Sequence, residues 1–160
     1  ERAMCGDPEG VIAPLTAKMT DLAGQQRFEE AALARDRIAA LSAAIRRHQL
    51  VEALRRAGTV ELRRGTTTWV IEQGRLVDVA IQGEMTRAIP VDPPELPEPG
   101  RPLGRRQIDE ALCLAKFCDK HAERLEVVSV TGDWAFPLDP PSGPSAAVAS
   151  LAAAAVASAR

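Results

Sequence analysis

Three side chains able to ligate a metal, Cys113, Cys118 and His121, lie close together on one amphipathic segment. Zinc prefers cysteines two to four residues apart on turns, within a set of four ligands. Here the cysteines are five apart, about 140° round a helix, and no fourth ligand is near in sequence. The spacing predicts two buried helix cysteines, with no metal and no other cofactor. Carboxylates suited to hydrolytic metal chemistry, Glu29, Glu30, Asp36, Asp109 and Glu110, stand beside arginines in helical contexts. Nothing in their spacing makes them converge in a cleft, and solvated faces with ion pairs one turn apart account for them. There is no glycine-rich phosphate loop, no Ser-His-Asp set and no HExxH. The two histidines, His48 and His121, read as surface or rim residues. No catalytic residue is assigned.

Two features can instead bind. Arg46, Arg47, Arg55 and Arg56, with only Glu52 against them, form a basic stripe able to touch DNA phosphates without reading sequence. Such a stripe is also what a solvated helix face looks like. Phe28 is placed differently, at the head of a helix, beside a turn and flanked by acids. Either it staples the tip of a helix pair or it is displayed to a partner, where a large apolar side chain makes a good anchor.

The elements that position these residues follow from periodicity. Residues 8–13 read as a loose turn, because Pro14 removes a hydrogen bond and clashes backward. A helix is then predicted over 14–23, with Ile12, Leu15, Met19 and Leu22 on its stripe and Gly24 as a left-handed cap. A second helix starts near Arg27 and runs to Ala57, stopped by Gly58, with Phe28, Ala31, Ala32, Ile38, Leu41 and Ile45 on its stripe. The short link makes the pair an antiparallel hairpin, with Ala31 and Ala32 opposite Met19 and Leu22. After Gly58 the period drops from 3.6 to 2. Residues 59–64, 67–72 and 75–82 form a three-stranded meander with turns at Gly65 and Gln73-Gly74. Trp69 and Ile71 share one face of it, as do Val77, Val79 and Ile81. Residues 90–104 hold six of the twelve prolines and read as an extended loop. A helix over 105–125 turns Ile108, Ala111, Leu112, Ala115, Cys118 and Leu125 to the sheet, and 126–131 is a final strand.

The expected class is thus α+β: a loose lead over 1–13, a helical hairpin over 14–58, a small α/β domain over 59–138 and a disordered Ala/Pro/Ser tail over 139–160. Composition fits, with 46% apolar and 26% charged residues. Aromatics are only 3%, so the core is thin in large side chains. A net charge of −2 argues against a bulk electrostatic nucleic-acid binder. Arginine outnumbers lysine 17 to 3, as a GC-rich coding sequence would produce. Three cysteines without framework spacing point to a reducing cytoplasm. The first residues lack a signal peptide and the Ala-rich end is too short and too polar to span a membrane. The start at Glu1, not methionine, suggests a piece of a longer chain.

Residues 19–41 resemble the UVR motif of the bacterial excision-repair proteins UvrB and UvrC. The matching residues are Leu22, Ala23, Phe28, Glu29, Ala31, Ala32, Arg35, Asp36, Ile38 and Leu41, with an F-E-x-A-A-x-x-R-D-x-I core. The resemblance implies an antiparallel hairpin that joins an incision subunit to a helicase subunit. Residues 5–138, with the late run Val128, Val130, Gly132, Trp134, Ala135 and Pro137, also resemble the C-terminal region of a UvrC-like family. Its members join a DEDD-type 3′–5′ exonuclease domain to a GIY-YIG endonuclease domain and a UVR hairpin. This chain departs from that pattern: neither the exonuclease acids nor the GIY-YIG motif is present, and the cysteine-rich segment before the hairpin is missing.

The resemblance therefore implies a non-catalytic module of a DNA-repair nuclease. Its partner would be a UvrB-like helicase subunit or another UVR hairpin, which includes a homodimer. Phe28, Glu29, Ala31 and Ala32 would be at the contact, with Arg35 and Asp36 fixing the hairpin or forming a cross-partner ion pair. Two alternatives stand beside it. One is a non-specific clamp on the DNA backbone through Arg46, Arg47, Arg55 and Arg56, joined by Arg63 and Arg64. The other is a structural domain packed on a missing nuclease.

Overall fold

The computed structural model describes residues 8–81, 84–86 and 102–139. It is an α+β chain, with helix α1 at Pro8–Gly24, helix α2 at Phe28–Arg56, strands β1 at Thr59–Arg64, β2 at Thr67–Glu72, β3 at Arg75–Ile81 and β4 at Glu84–Thr86, helix α3 at Arg105–His121, a 3-10 turn at Ala122–Arg124, and strand β5 at Glu126–Val130. Two compact units divide within α2, between His48 and Gln49. The expected Pro-rich loop over 90–104 and tail over 139–160 lie almost wholly outside the described residues, as does the lead over 1–7.

In the first unit, Ile12, Met19 and Leu22 of α1 pack with Ala31, Ala34, Ile38 and Ile45 of α2, and Leu15 and Leu41 flank them. On both helices these residues alternate spacings of three and four, the seam of an antiparallel pair. Three local expectations are corrected. The first helix begins at Pro8, with Pro14 inside it and no loose turn over 8–13. Proline costs the ladder one donor, and Ile12, two residues before it, is buried in the seam with α2. The left-handed residue after α1 is Gln26, at φ 61°, not Gly24. The Arg27 N–H donates to the Leu22 carbonyl at 2.9 Å and the Gln26 N–H to the Ala23 carbonyl at 3.0 Å. This double bond pattern is the Schellman closure, with Gln26 at the left-handed position. Ala34, not Ala32, shares the seam with Ala31. One polar group is trapped near this seam: Ser42 Oγ is buried with no hydrogen-bond partner among the described residues.

In the second unit the strands are antiparallel in the order β4-β3-β2-β1-β5. The meander is therefore extended on both edges, by β5 beside β1 and by the short β4, which the residue pattern did not reveal. The β2–β3 hairpin closes with two left-handed residues, Gln73 at φ 48° and Gly74 at φ 89°, a turn whose twist suits a right-twisted ribbon. A register shift opposite Val70 and Ile71 sets Leu76 against Ile71. Val77, expected beside Val79, is consequently exposed while Leu76 joins the core. One face of the sheet is closed by Ala111, Ala115 and Cys118 of α3 and by Leu50, Ala53 and Leu54 from the last turns of α2. Ile108, expected to face the sheet, is exposed. The 132–137 segment ties down the end of α2: the Gly132 N–H donates to the Ala57 carbonyl at 3.0 Å and the Asp133 N–H to the Arg56 carbonyl at 3.1 Å. Any Cβ at Gly132 would collide with the Arg56 carbonyl oxygen, which explains glycine there.

Candidate protein-docking surface

The tip of the hairpin is built by local chemistry. Gln26 turns the chain, and the Arg27 carbonyl accepts the first bond of α2, from the Ala31 N–H at 3.0 Å. The Arg27 guanidinium then grips Glu30 with two bonds, at 2.7 and 2.6 Å. Glu29 and Glu30 in the first turn complement the positive end of the helix dipole. Phe28 follows immediately and is 67% exposed. It does not staple the tip. The seam begins at Ala31 one turn on and does not include Phe28.

Around α2, Phe28 and Ala32 fall one turn apart on the same side, and Asp36 continues that row. Ala32 is half-buried and Asp36 exposed. Arg35 bonds its neighbour Asp36 through Nε and Nη2, at 3.1 and 2.9 Å, with both side chains largely in water. Such a pair holds little energy by itself. Ala31 is only 8% exposed and belongs to the hairpin's own seam. Leu33 is also 58% exposed, about 140° round the helix from Phe28, and the residue pattern did not reveal it. The signal was present: once the seam runs Ala31, Ala34, Ile38, Leu41 and Ile45, a leucine at 33 has nowhere to go but outward.

The expected arginine stripe is mostly occupied within the chain. Arg46 donates to the Asp139 carbonyl at 2.7 Å. Arg55 pairs with Glu52 at 2.9 Å and is largely buried. Arg56 Nε donates to the Glu52 carbonyl at 3.3 Å, while Arg47 is exposed. Long arginines lying along their own helix find carbonyls and carboxylates one turn away, which a stripe drawn on the sequence does not show.

The two helix cysteines separate as their 140° spacing demands, and only one of them can face the sheet. Cys118 is buried, and burial pushes its thiol up to about 12, an inert core group. Cys113 is exposed, against the expectation that both would be buried. Among the described residues no group of three His, Cys, Asp or Glu side chains could hold a metal ion. No helix among them is long and apolar enough to cross a membrane.

Comparison with protein families matches residues 9–44 to the UVR family, the UvrB/uvrC motif. The match covers both helices of the hairpin seam and none of the sheet unit. Comparison with curated proteins and with solved structures returned no match. The motif occurs in nucleotide excision repair proteins and mediates interactions of the UvrB/UvrC type. Residues 9–44 match the UVR motif, and the seam and the left-handed closure at Gln26 show that this stretch is a helical hairpin.

Proposed function

We propose that this protein is a non-catalytic docking module of a DNA-repair nuclease, whose UVR hairpin binds a UvrB-like helicase subunit or another UVR hairpin. The observation that carries this reading is the outward display of Phe28 at the head of α2. An exposed aromatic ring with charged neighbours is the kind of side chain that anchors a protein contact. Phe28 and Ala32 form the apolar contact, Glu29, Arg35 and Asp36 form its charged rim, and Ala31 supports it from behind. An aromatic anchor within a polar rim is the anatomy of a small transient interface. The parent nuclease is supported only by the order of hairpin, strands and final 128–137 run.

Titration calorimetry of the whole chain against the UvrB-like helicase of the same cell tests the proposal. The expected result is micromolar binding that Phe28→Ala weakens about fivefold or more, the lower edge of hot-spot behaviour. Because Phe28 is exposed, the variant should keep its folding stability within about 0.5 kcal/mol. Absence of binding at high concentration would sink the helicase reading. Sedimentation of the chain alone reads the hairpin–hairpin alternative.

A further inference from the structure

Arg64 ends β1 two residues after Leu62, and so lies on the same face of the sheet as Val60 and Leu62, the face that the helices cover. Its neighbour Arg63 points to the other face and is bound by Glu126 at 2.6 and 3.0 Å. Lys120 and His121 are the last residues of α3, and Arg124 ends the 3-10 turn that leads into β5. Since β5 runs beside β1, with Glu126 opposite Arg63, these elements finish at the same end of the unit as Arg64. The charges of Arg64, Lys120 and Arg124 all reach His121: partial burial first, and then these three cations, hold its imidazole below the usual histidine range.

Among the described residues, none of Arg64, Lys120 and Arg124 has a hydrogen-bond or ion-pair partner, unlike Arg27, Arg35, Arg55 and Arg63. Glu123 stands in the same turn, exposed, and pairs with none of them. The negative end of the α3 dipole favours cations here, and the rings that lead up to them, Trp69 and Phe117, pack on the core. Trp69 meets Phe117 edge-on at 5.5 Å between centroids, and Phe117 meets His121 at 5.1 Å. This series of half-buried rings runs from the sheet to the centre of the basic patch.

We propose that this end of the sheet unit binds single-stranded nucleic acid, with phosphates held by Arg64, Lys120 and Arg124 and one base laid against His121. Cations that track a backbone beside flat rings that accept any base are the means of such binding. A duplex offers phosphates without a free base face, and an acidic peptide offers charge without a ring to stack. The site is separate from the hairpin and does not depend on its partner.

The test is fluorescence anisotropy of the whole chain with labelled oligo(dT) of about 12 nucleotides, within the range one small binding domain covers. Three cations should give a log–log salt slope of about −2, at roughly −0.7 per phosphate on a single strand. Arg64→Gln/Lys120→Gln should weaken binding at least about tenfold and flatten the slope to about −0.7. The charge-matched pair Arg105→Gln/Arg106→Gln, at the opposite end of α3, should change it less than about twofold. His121→Ala should keep the slope and erase the preference for single strand over duplex. Binding absent at low salt would overturn the proposal, as would equal loss in the control pair. So would displacement of the probe by polyglutamate as readily as by unlabelled oligo(dT).

Discussion

The hairpin and the sheet unit draw on the same alanine-rich, aromatic-poor composition but spend their large side chains differently. In the hairpin the seam between two helices is one residue wide, so Phe28 and Leu33 are left outside it. The sheet unit has a broad surface to cover, and it encloses Leu50, Leu54, Leu62, Ile71 and Phe136 with Trp69 and Phe117 packed against them. A two-helix seam cannot consume a third row of apolar residues, whereas a sheet closed by two helices can. The hairpin thus leaves its largest side chain, Phe28, in water, while the sheet unit encloses its largest ones and, among the described large apolar residues, exposes only aliphatic ones such as Val77, Ile81 and Val128.

This contrast can be broken most forcefully in the two cores. Ile38→Ala and Leu54→Ala each remove a side chain with no exposed surface, and each should cost about 2–5 kcal/mol. Hydrogen exchange should then show Ile38→Ala releasing the amides of α1 while Val60 and Leu62 stay protected, and Leu54→Ala doing the reverse. If either variant releases both sets equally, the two units fold as one and the comparison fails.

A pair of glycines gives opposite signs on a smaller scale. Gly74 has φ 89° and an added Cβ would come within 3.0 Å of the Ala111 Cβ, so Gly74→Ala should lower stability by roughly 2 kcal/mol. Gly24 closes a helix with nothing within 4 Å of an added Cβ. Gly24→Ala should raise stability by up to about 1 kcal/mol, and thermal melts of both variants decide the matter. A cost at Gly24 would mean that the turn, and not Gln26, needs the glycine.

Ser42 sharpens the account of the hairpin. Its buried hydroxyl lacks a partner among the described residues, so Ser42→Ala should be neutral or stabilising by up to about 1 kcal/mol. A loss of stability in a chemical melt would show that the hydroxyl is used. The smallest effect belongs to the sheet edge. Arg63, by hydrogen bond and then by charge, holds the Glu126 carboxyl below the usual carboxylate range. A carboxyl depressed in the folded state adds stability above its unfolded pKa and loses it as pH falls through the folded one. The pair is fully solvated, so acidification should loosen only the β5 amides, seen as faster exchange at Ser129 while Val70 in β2 is unchanged.

Much of this was legible in the residues. Apolar spacings of three and four set out the hairpin, period-two alternation set out β1 to β3, and the F-E-x-A-A-x-x-R-D-x-I run identified the motif before any geometry was known. The misses have physical causes. Pro14 reads as a helix breaker because local rules weigh one lost hydrogen bond and do not see Ile12 buried beside it. Ala32 and Ala34 have the same side chain, and it is Ala34, three after Ala31 and four before Ile38, that enters the seam. Val77 left the core because a register shift in β3 moves face assignment by one residue.

Local chemistry along the chain therefore determined which segments are helix or strand and which stretch is the UVR hairpin, since periodicity and turn residues act over a few neighbours. Tertiary structure alone decided which side chains remain free. It buried Ala31, exposed Phe28 and Leu33, and tied Arg46, Arg55 and Arg56 into the chain. It also brought Arg64 from the end of β1 to Lys120, His121 and Arg124, more than fifty residues away in sequence. Charges that far apart in the chain meet only when β5 pairs with β1 and α3 packs over the sheet, and no local pattern encodes that.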